Sequence, residues 1–400
     1  MTMIQIQSSS QNYKTAFLHL GFRPFFAGAA LFAVASMSLW LVIYEFGLYV
    51  DIKTLPTILW HSHEMIYGYS MAVIAGFLLT AVRNWTGVMT LNGIGLLVLF
   101  LLWLAARILH FIPFPHVNVI TPIVDLLFML LLIIAVAIPI IKVRQWMQAG
   151  ILAVLLLLFL GNLLFYLSIS GLVRLSPQVG LYLGFYLILA MVFIMARRVV
   201  PFFIEKGVGY DVKINNWLWL DILSLILFGA FAVSDIIWPD QEIVALLAVL
   251  LFLLHSLRLI QWHTSGIWKK PLLWVLYLGY GFISIGFALK AGVYLLGLSP
   301  FIALHAFSVG GVGMITLGMM SRVTLGHTGR NVFDPPRILS IIFTLIFCSA
   351  IFRVVMPLVM MSHYTLWIGI SQIFWISSFV VFSFVFIPML IKPRIDGQYG

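Results

Sequence analysis

Trp60-His61-Ser62-His63-Glu64-Met65-Ile66-Tyr67-Gly68-Tyr69 leads into an apolar run, Met71 to Val82, that closes on Arg83-Asn84-Trp85. Two imidazoles and a carboxylate therefore stand at the mouth of a helix apolar enough to cross a bilayer. Ionisable groups at such depth are costly, and those that persist bind a ligand, move a proton or hold another helix. The rest of the chain agrees with this stretch. It is 63% hydrophobic and 8% charged over 400 residues, where a soluble domain carries about 25% charge. Lipid must be the solvent for most of its surface.

Working outward, about twelve runs reach the roughly 20 mostly apolar residues that a spanning helix needs. They are 23–46, 60–82, 92–111, 120–141, 149–170, 178–196, 217–238, 242–262, 272–296, 300–320, 338–361 and 366–390. The division at Trp238-Pro239-Asp240 rests on a very short turn. The expected architecture is all-α: a polytopic membrane helix bundle forming one transmembrane domain over residues 1–400. A short polar tail, residues 1–20, precedes the helices. Met1 to Asn12 is Ser/Gln-rich, and no cleavable signal peptide is expected.

Basic residues set the orientation. Taking both termini and the even-numbered connections as one side collects 17 of the 22 Lys and Arg residues. The positive-inside tendency then places both termini in the cytoplasm. The formal charge of +10 is scattered through short loops, which excludes a nucleic-acid surface. The single cysteine, Cys348, excludes an internal disulfide, a CxxC motif and a zinc ribbon.

The candidate ligands sort by depth. His61 and His63 lie at the outer end of the second span. His305, in Leu304-His305-Ala306-Phe307-Ser308-Val309-Gly310-Gly311, lies at the outer end of the tenth. Their depths agree within roughly 6 Å at the rise of an α-helix. Imidazole suits iron and copper, and a ligating His needs a partner on its other nitrogen, for which Glu64 is a candidate. Residues two apart on a helix point about 200° apart, so His61 and His63 serve two sites or one supports the other. His61 shares a helical face with Met65, a pairing that suits copper. Gly310, Gly311, Gly313 and Gly318 strip the tenth span of bulk, either for a flat cofactor or for close packing of helices.

Other polar residues carry weaker signals. His110, His116 and His363 read as solvated or interfacial, and His263 as interfacial. His255 and Arg258 share a face of the eighth span, as a second buried site or an inner-end anchor. Asp125 and Asp235 fall in outer halves, where they pair with bases, guide protons or mark the interface. On the inner side, Ser321-Arg322-Val323-Thr324-Leu325-Gly326-His327-Thr328-Gly329-Arg330 is basic and could hold propionates or phosphate, or anionic lipid.

The chain resembles the NnrS family of bacterial membrane proteins of the nitric oxide response. The resemblance rests on Gly21-Phe22-Arg23-Pro24-Phe25-Phe26; Trp60-His61-Ser62-His63-Glu64-Met65; Ala75-Gly76-Phe77 through Asn84-Trp85-Thr86-Gly87; Arg197-Arg198-Val199-Val200-Pro201; Pro271-Leu272-Leu273-Trp274; and Leu304-His305-Ala306 through Gly326-His327-Thr328-Gly329-Arg330. It implies a multi-pass protein of the bacterial inner membrane that binds haem, expected as b-type, and copper. It also implies a role in nitric oxide metabolism or resistance; if the protein is an enzyme, it is an oxidoreductase acting on nitric oxide. By position, His61, His63, His305 and His327 match the motif histidines. His61, His63 and His305 are the candidate axial ligands, with His327 and Met65 as further metal ligands. Glu64, Arg83, Arg322 and Arg330 are candidates to support them or to hold propionates. The resemblance also implies that Tyr277 stands where the family pattern often has His, which removes a ligand there or substitutes a phenol.

The expected partners are the lipid bilayer and nitric oxide. No CxxCH, nucleotide-binding or iron–sulfur motif identifies an electron donor. The competing reading is a multi-span transporter or exporter without a redox cofactor, for which twelve spans with buried Asp and Lys would serve.

Overall fold

A computed structural model describes residues 15–239 and 241–400. Most of the expected polar tail, and Asp240 of the expected turn, lie outside the described residues. Among the described residues twelve apolar helices follow in order: α1 (Phe22–Phe46), α2 (Thr57–Thr86), α3 (Gly93–Leu109), α4 (Val117–Lys142), α5 (Trp146–Ile169), α6 (Pro177–Gly207), α7 (Leu218–Ile237), α8 (Glu242–Trp262), α9 (Pro271–Leu296), α10 (Pro300–His327), α11 (Ile338–Val359) and α12 (Met361–Ile391). Among the described residues there is no strand. This is the helical membrane bundle expected. Eleven helices are long and apolar enough to cross a bilayer, and α3 is the shorter apolar helix. At 17 residues it reaches about 25 Å, just under the hydrocarbon thickness.

The helix α2 occupies the centre. It touches α1, α4, α6 and α10, and 72% of its apolar window is buried, the largest share of any span. Both described chain ends lie on one face: Tyr399 donates to the His19 carbonyl at 3.0 Å, and Ala16 N–H to that of Ile391 at 2.8 Å. Arg23, fully buried at the start of α1, holds this face together. Its Nε and Nη2 donate to the Gly400 oxygen at 2.9 and 2.6 Å, and its Nη1 to the Leu390 and Lys392 carbonyls at 2.7 and 2.8 Å. The last carbonyls of a helix have no partner within it. One guanidinium thus supplies what the end of α12 lacks.

Among the described residues three π-helical turns interrupt the α-helical ladders. Glu64–Ser70 follows His63 directly, Ala306–Gly313 follows His305 directly, and Ile351–Val355 contains Arg353. Such wide turns are rare and concentrate at functional positions.

The bare glycine face of α10 is covered by protein. A Cβ on Gly310 would stand 2.4 Å from Phe282, on Gly311 2.5 Å from Ile283, and on Gly313 2.7 Å from Trp375. These glycines therefore admit α9 and α12, the close-packing alternative. Among the described residues the tightest approach to backbone atoms is at Gly180 of α6, where a Cβ would meet the Gly161 carbonyl oxygen at 2.6 Å and the Phe165 nitrogen at 2.7 Å. Backbone cannot step aside as a side-chain tip can. Gly180→Ala is expected to cost about 1–3 kcal/mol by overpacking. Gly150→Ala in the same pair of helices meets no atom within 4 Å and should gain up to about 1 kcal/mol from helix propensity. Thermal unfolding of the two variants in detergent tests this contrast.

Candidate metal centre

His61 and His63 leave α2 in different directions, as their spacing requires, and enter two separate environments. His63 is completely buried. Its Nδ1 donates to Glu64 Oε1 at 2.9 Å, and its Nε2 to Asn162 Oδ1 at 2.9 Å. The Asn162 amide is oriented by its own Nδ2, which donates to Asp125 Oδ2 at 2.8 Å. Both His63 nitrogens face side-chain oxygens, so a metal bound to one of them would displace that contact. Arg107, from the end of α3, closes the group. Its Nη1 donates to both Glu64 oxygens at 2.9 and 3.0 Å, and its Nη2 to Asp125 Oδ1. Tyr166 of α5 donates to Asp125 Oδ2 at 3.1 Å. Four helices, α2 to α5, thus share one buried ionic network at the end of the bundle away from the chain termini.

His110 belongs to this network, against the expectation of a solvated residue: its exposure is 0%. Its Nδ1 bonds to the Thr54 hydroxyl, and its Nε2 lies 3.2 Å from Glu64 Oε1 without an aligned hydrogen bond. The ligand atoms of His63, Glu64 and His110 lie within 4.8 Å of one another. That spacing can hold a metal ion, and the unpartnered His110 nitrogen suits one. Arg107 competes for the same place, because its guanidinium already neutralises both Glu64 oxygens. A metal here would share Glu64 with Arg107.

The second environment joins α2, α10 and α11. The His61 ring stacks on Trp40 of α1, with centroids 4.3 Å apart and planes 6° from parallel. Its Nδ1 is buried without a hydrogen-bond partner. His305 donates from Nδ1 to the Phe301 carbonyl at 2.6 Å, which leaves the lone pair on Nε2. Arg353 Nη2 approaches that nitrogen at 3.2 Å. His61, His305 and Arg353 lie within electrostatic reach of one another. A ring anchored through one nitrogen on a backbone carbonyl, with the other presented outward, is the arrangement of a metal-ligating histidine.

The remaining candidates are not brought to these sites. His327 closes α10, 22 residues beyond His305, or about 33 Å along the helix. Its ring packs 5.6 Å from Phe22, and its carbonyl accepts from Arg394 at 3.2 Å. Arg83 lies over the Tyr399 ring at 5.5 Å on the same face. Arg330 is within electrostatic reach of Arg23 there. On that face Arg394 also holds the Asp396 carboxyl down to about 2. Arg322 sits 3.7 Å over the Phe203 ring. Met65 lies within the π-helical turn, is half-buried and packs against the apolar core.

The other buried acids pair across helices. Asp221 of α7 takes Arg258 at 2.8 Å and Arg197 at 2.9 Å, and Arg258 also reaches the Tyr280 hydroxyl at 2.8 Å. The His255–Arg258 face is therefore a second buried polar site. Asp235 takes Lys290 of α9 at 2.6 Å and the Tyr186 hydroxyl. Sequence reasoning missed Arg107, Asn162 and Tyr166 as parts of the first network. The available signal was an arginine and an asparagine inside otherwise apolar spans, where each needs a partner.

The family described as NnrS protein matches residues 16–394. The chain belongs to the NnrS family. The match runs through α12, including the two helices in which the sequence shows no motif of its own. For this NnrS chain, comparison with curated proteins returns no match. Membership gives the family; the membrane bundle and the cluster able to hold a metal stand on the geometry of this chain.

Proposed function

We propose that this NnrS protein is a haem-binding, haem–copper membrane protein of the bacterial inner membrane that binds nitric oxide at a histidine-ligated metal near the outer leaflet. Both termini lie in the cytoplasm, as the basic bias requires. The observation that carries the reading is His305, tied by Nδ1 to the Phe301 carbonyl with Nε2 directed away, beside the unpartnered Nδ1 of His61 on another helix. The donor set fits an iron held by imidazoles from two spans. Iron on Nε2 of His305 requires Arg353 to leave that nitrogen, and the freed guanidinium is then suited to a propionate or another anion. Such a centre supplies a site where nitric oxide binds and an electron is exchanged. Copper finds N and O donors in His63, Glu64 and His110. A b-type haem is consistent with the lack of a CxxCH motif.

The deciding experiment is metal analysis of the purified protein with absorption spectra before and after nitric oxide. A haem band that shifts on adding the gas is expected. A colourless, metal-free preparation that still protects cells against nitric oxide would overturn the reading.

A further inference from the structure

A cavity of about 90 Å³ opens between α2, α6, α9 and α10. None of the candidate histidines lines it. Its walls are hydrocarbon and thioether, with Val73 and Ile74 from α2, Ile188, Met191 and Met195 from α6, and Met319 from α10. Three polar side chains also reach it, and each is engaged elsewhere. Ser70 donates to the Met65 carbonyl at 2.8 Å, and Thr316 to that of Val312 at 2.7 Å. The Tyr280 hydroxyl is held between Arg258 at 2.8 Å and His255 Nδ1 at 2.6 Å. A buried water needs two to four polar partners, and a cavity without them stays dry.

We infer that this cavity binds one small apolar molecule, of the size of a diatomic gas or a xenon atom. Size sets the upper limit, because a dry cavity of about 150 Å³ already takes benzene. The thioethers favour a soft, weakly polar guest, since sulfur is polarizable and the unbranched chain adapts to what it meets. Met191 and Met195 stand four residues apart and so share one face of α6. Entry is from the bilayer, where apolar gases concentrate. Phe77, Val192, Val199 and Met319 at the cavity are only half-buried, whereas Val73, Ile74 and Met191 behind them are buried. The cavity also adjoins the two helices that bear His61 and His305. Ser70 and Thr316 lie 9 and 11 residues beyond those histidines, or about 14–17 Å deeper. The inference does not require a metal at the histidines, because the cavity is defined without them.

The test uses the full-length protein in detergent with its methionine methyl groups labelled with carbon-13, titrated with dissolved xenon. The signals of Met191, Met195 and Met319, assigned by Met→Leu substitution, are expected to shift saturably. Met129, whose sulfur accepts from Asn162 in the ionic network, is expected to stay still. Ile74→Phe, which fills the cavity, should abolish the shift. Ala196→Leu is a milder filling variant should the first fail to fold. His305→Ala should leave the shift intact, which separates this inference from the metal reading. Equal, unsaturable shifts at every methionine, as from bulk partitioning, would overturn it. So would no shift at the three cavity methionines, the result if an acyl chain fills the space.

Discussion

Arg107→Met is expected to destabilise the protein by about 3–5 kcal/mol, the usual cost of removing one partner of a buried ion pair. Glu64 and Asp125 have 0% exposure, and the Arg107 guanidinium bridges them, bonded to both oxygens of Glu64 and to Asp125. Without it, two carboxylates face each other's field in a medium that cannot solvate them. The variant should accumulate poorly in the membrane and unfold at lower temperature or detergent concentration. Pairing is distinguished from simple packing loss by neutralising the acids as well. Arg107→Met combined with Glu64→Gln and Asp125→Asn should recover a large part of the loss, because no uncompensated charge then remains. A triple variant as unstable as the single one would show that the guanidinium acts through shape instead of charge.

His305→Ala and His61→Ala are expected to abolish the bound iron and its absorption band while the bundle remains folded. Removing only an outer partner of a metal ligand costs roughly 10–100-fold in affinity, so losing the ligand itself costs more. Both rings are only half-buried, so truncation leaves no sealed cavity. His263→Ala and His363→Ala serve as controls, since both side chains are exposed. His63→Ala should behave differently, lowering stability first, because it unpairs Glu64 and Asn162. If iron survives in both His305→Ala and His61→Ala but is lost in His110→Ala, the centre is the His63–Glu64–His110 cluster.

The two sites differ in how far they can be read from the chain. His61 and His63 were bound to part company, because a helix turns about 100° per residue. The partners of each come from distant segments. Asn162 is 99 residues from His63, and Arg353 is 48 from His305. No periodicity links such positions. His110 read as solvated because it stands at the end of an apolar run next to Pro113 and Pro115. Burial followed from Thr54 and the loop before α2 folding over it. The glycines of α10 were ambiguous for the same reason. Only the positions of Phe282, Ile283 and Trp375 decide between a cofactor face and a helix face.

Hydropathy and spacing sufficed for the helical membrane bundle, its twelve helices and the divergence of the two α2 histidines. These properties depend on the solvent around each segment and on the geometry of a single helix, both of which are local. Which helix ends meet, which cation neutralises which acid, and which imidazole keeps a free nitrogen were decided by the tertiary structure alone. In a bilayer, helices associate through shape and polar contact with little hydrophobic drive between them. The pairing therefore resides in three-dimensional complementarity, which a linear pattern of apolar residues does not encode.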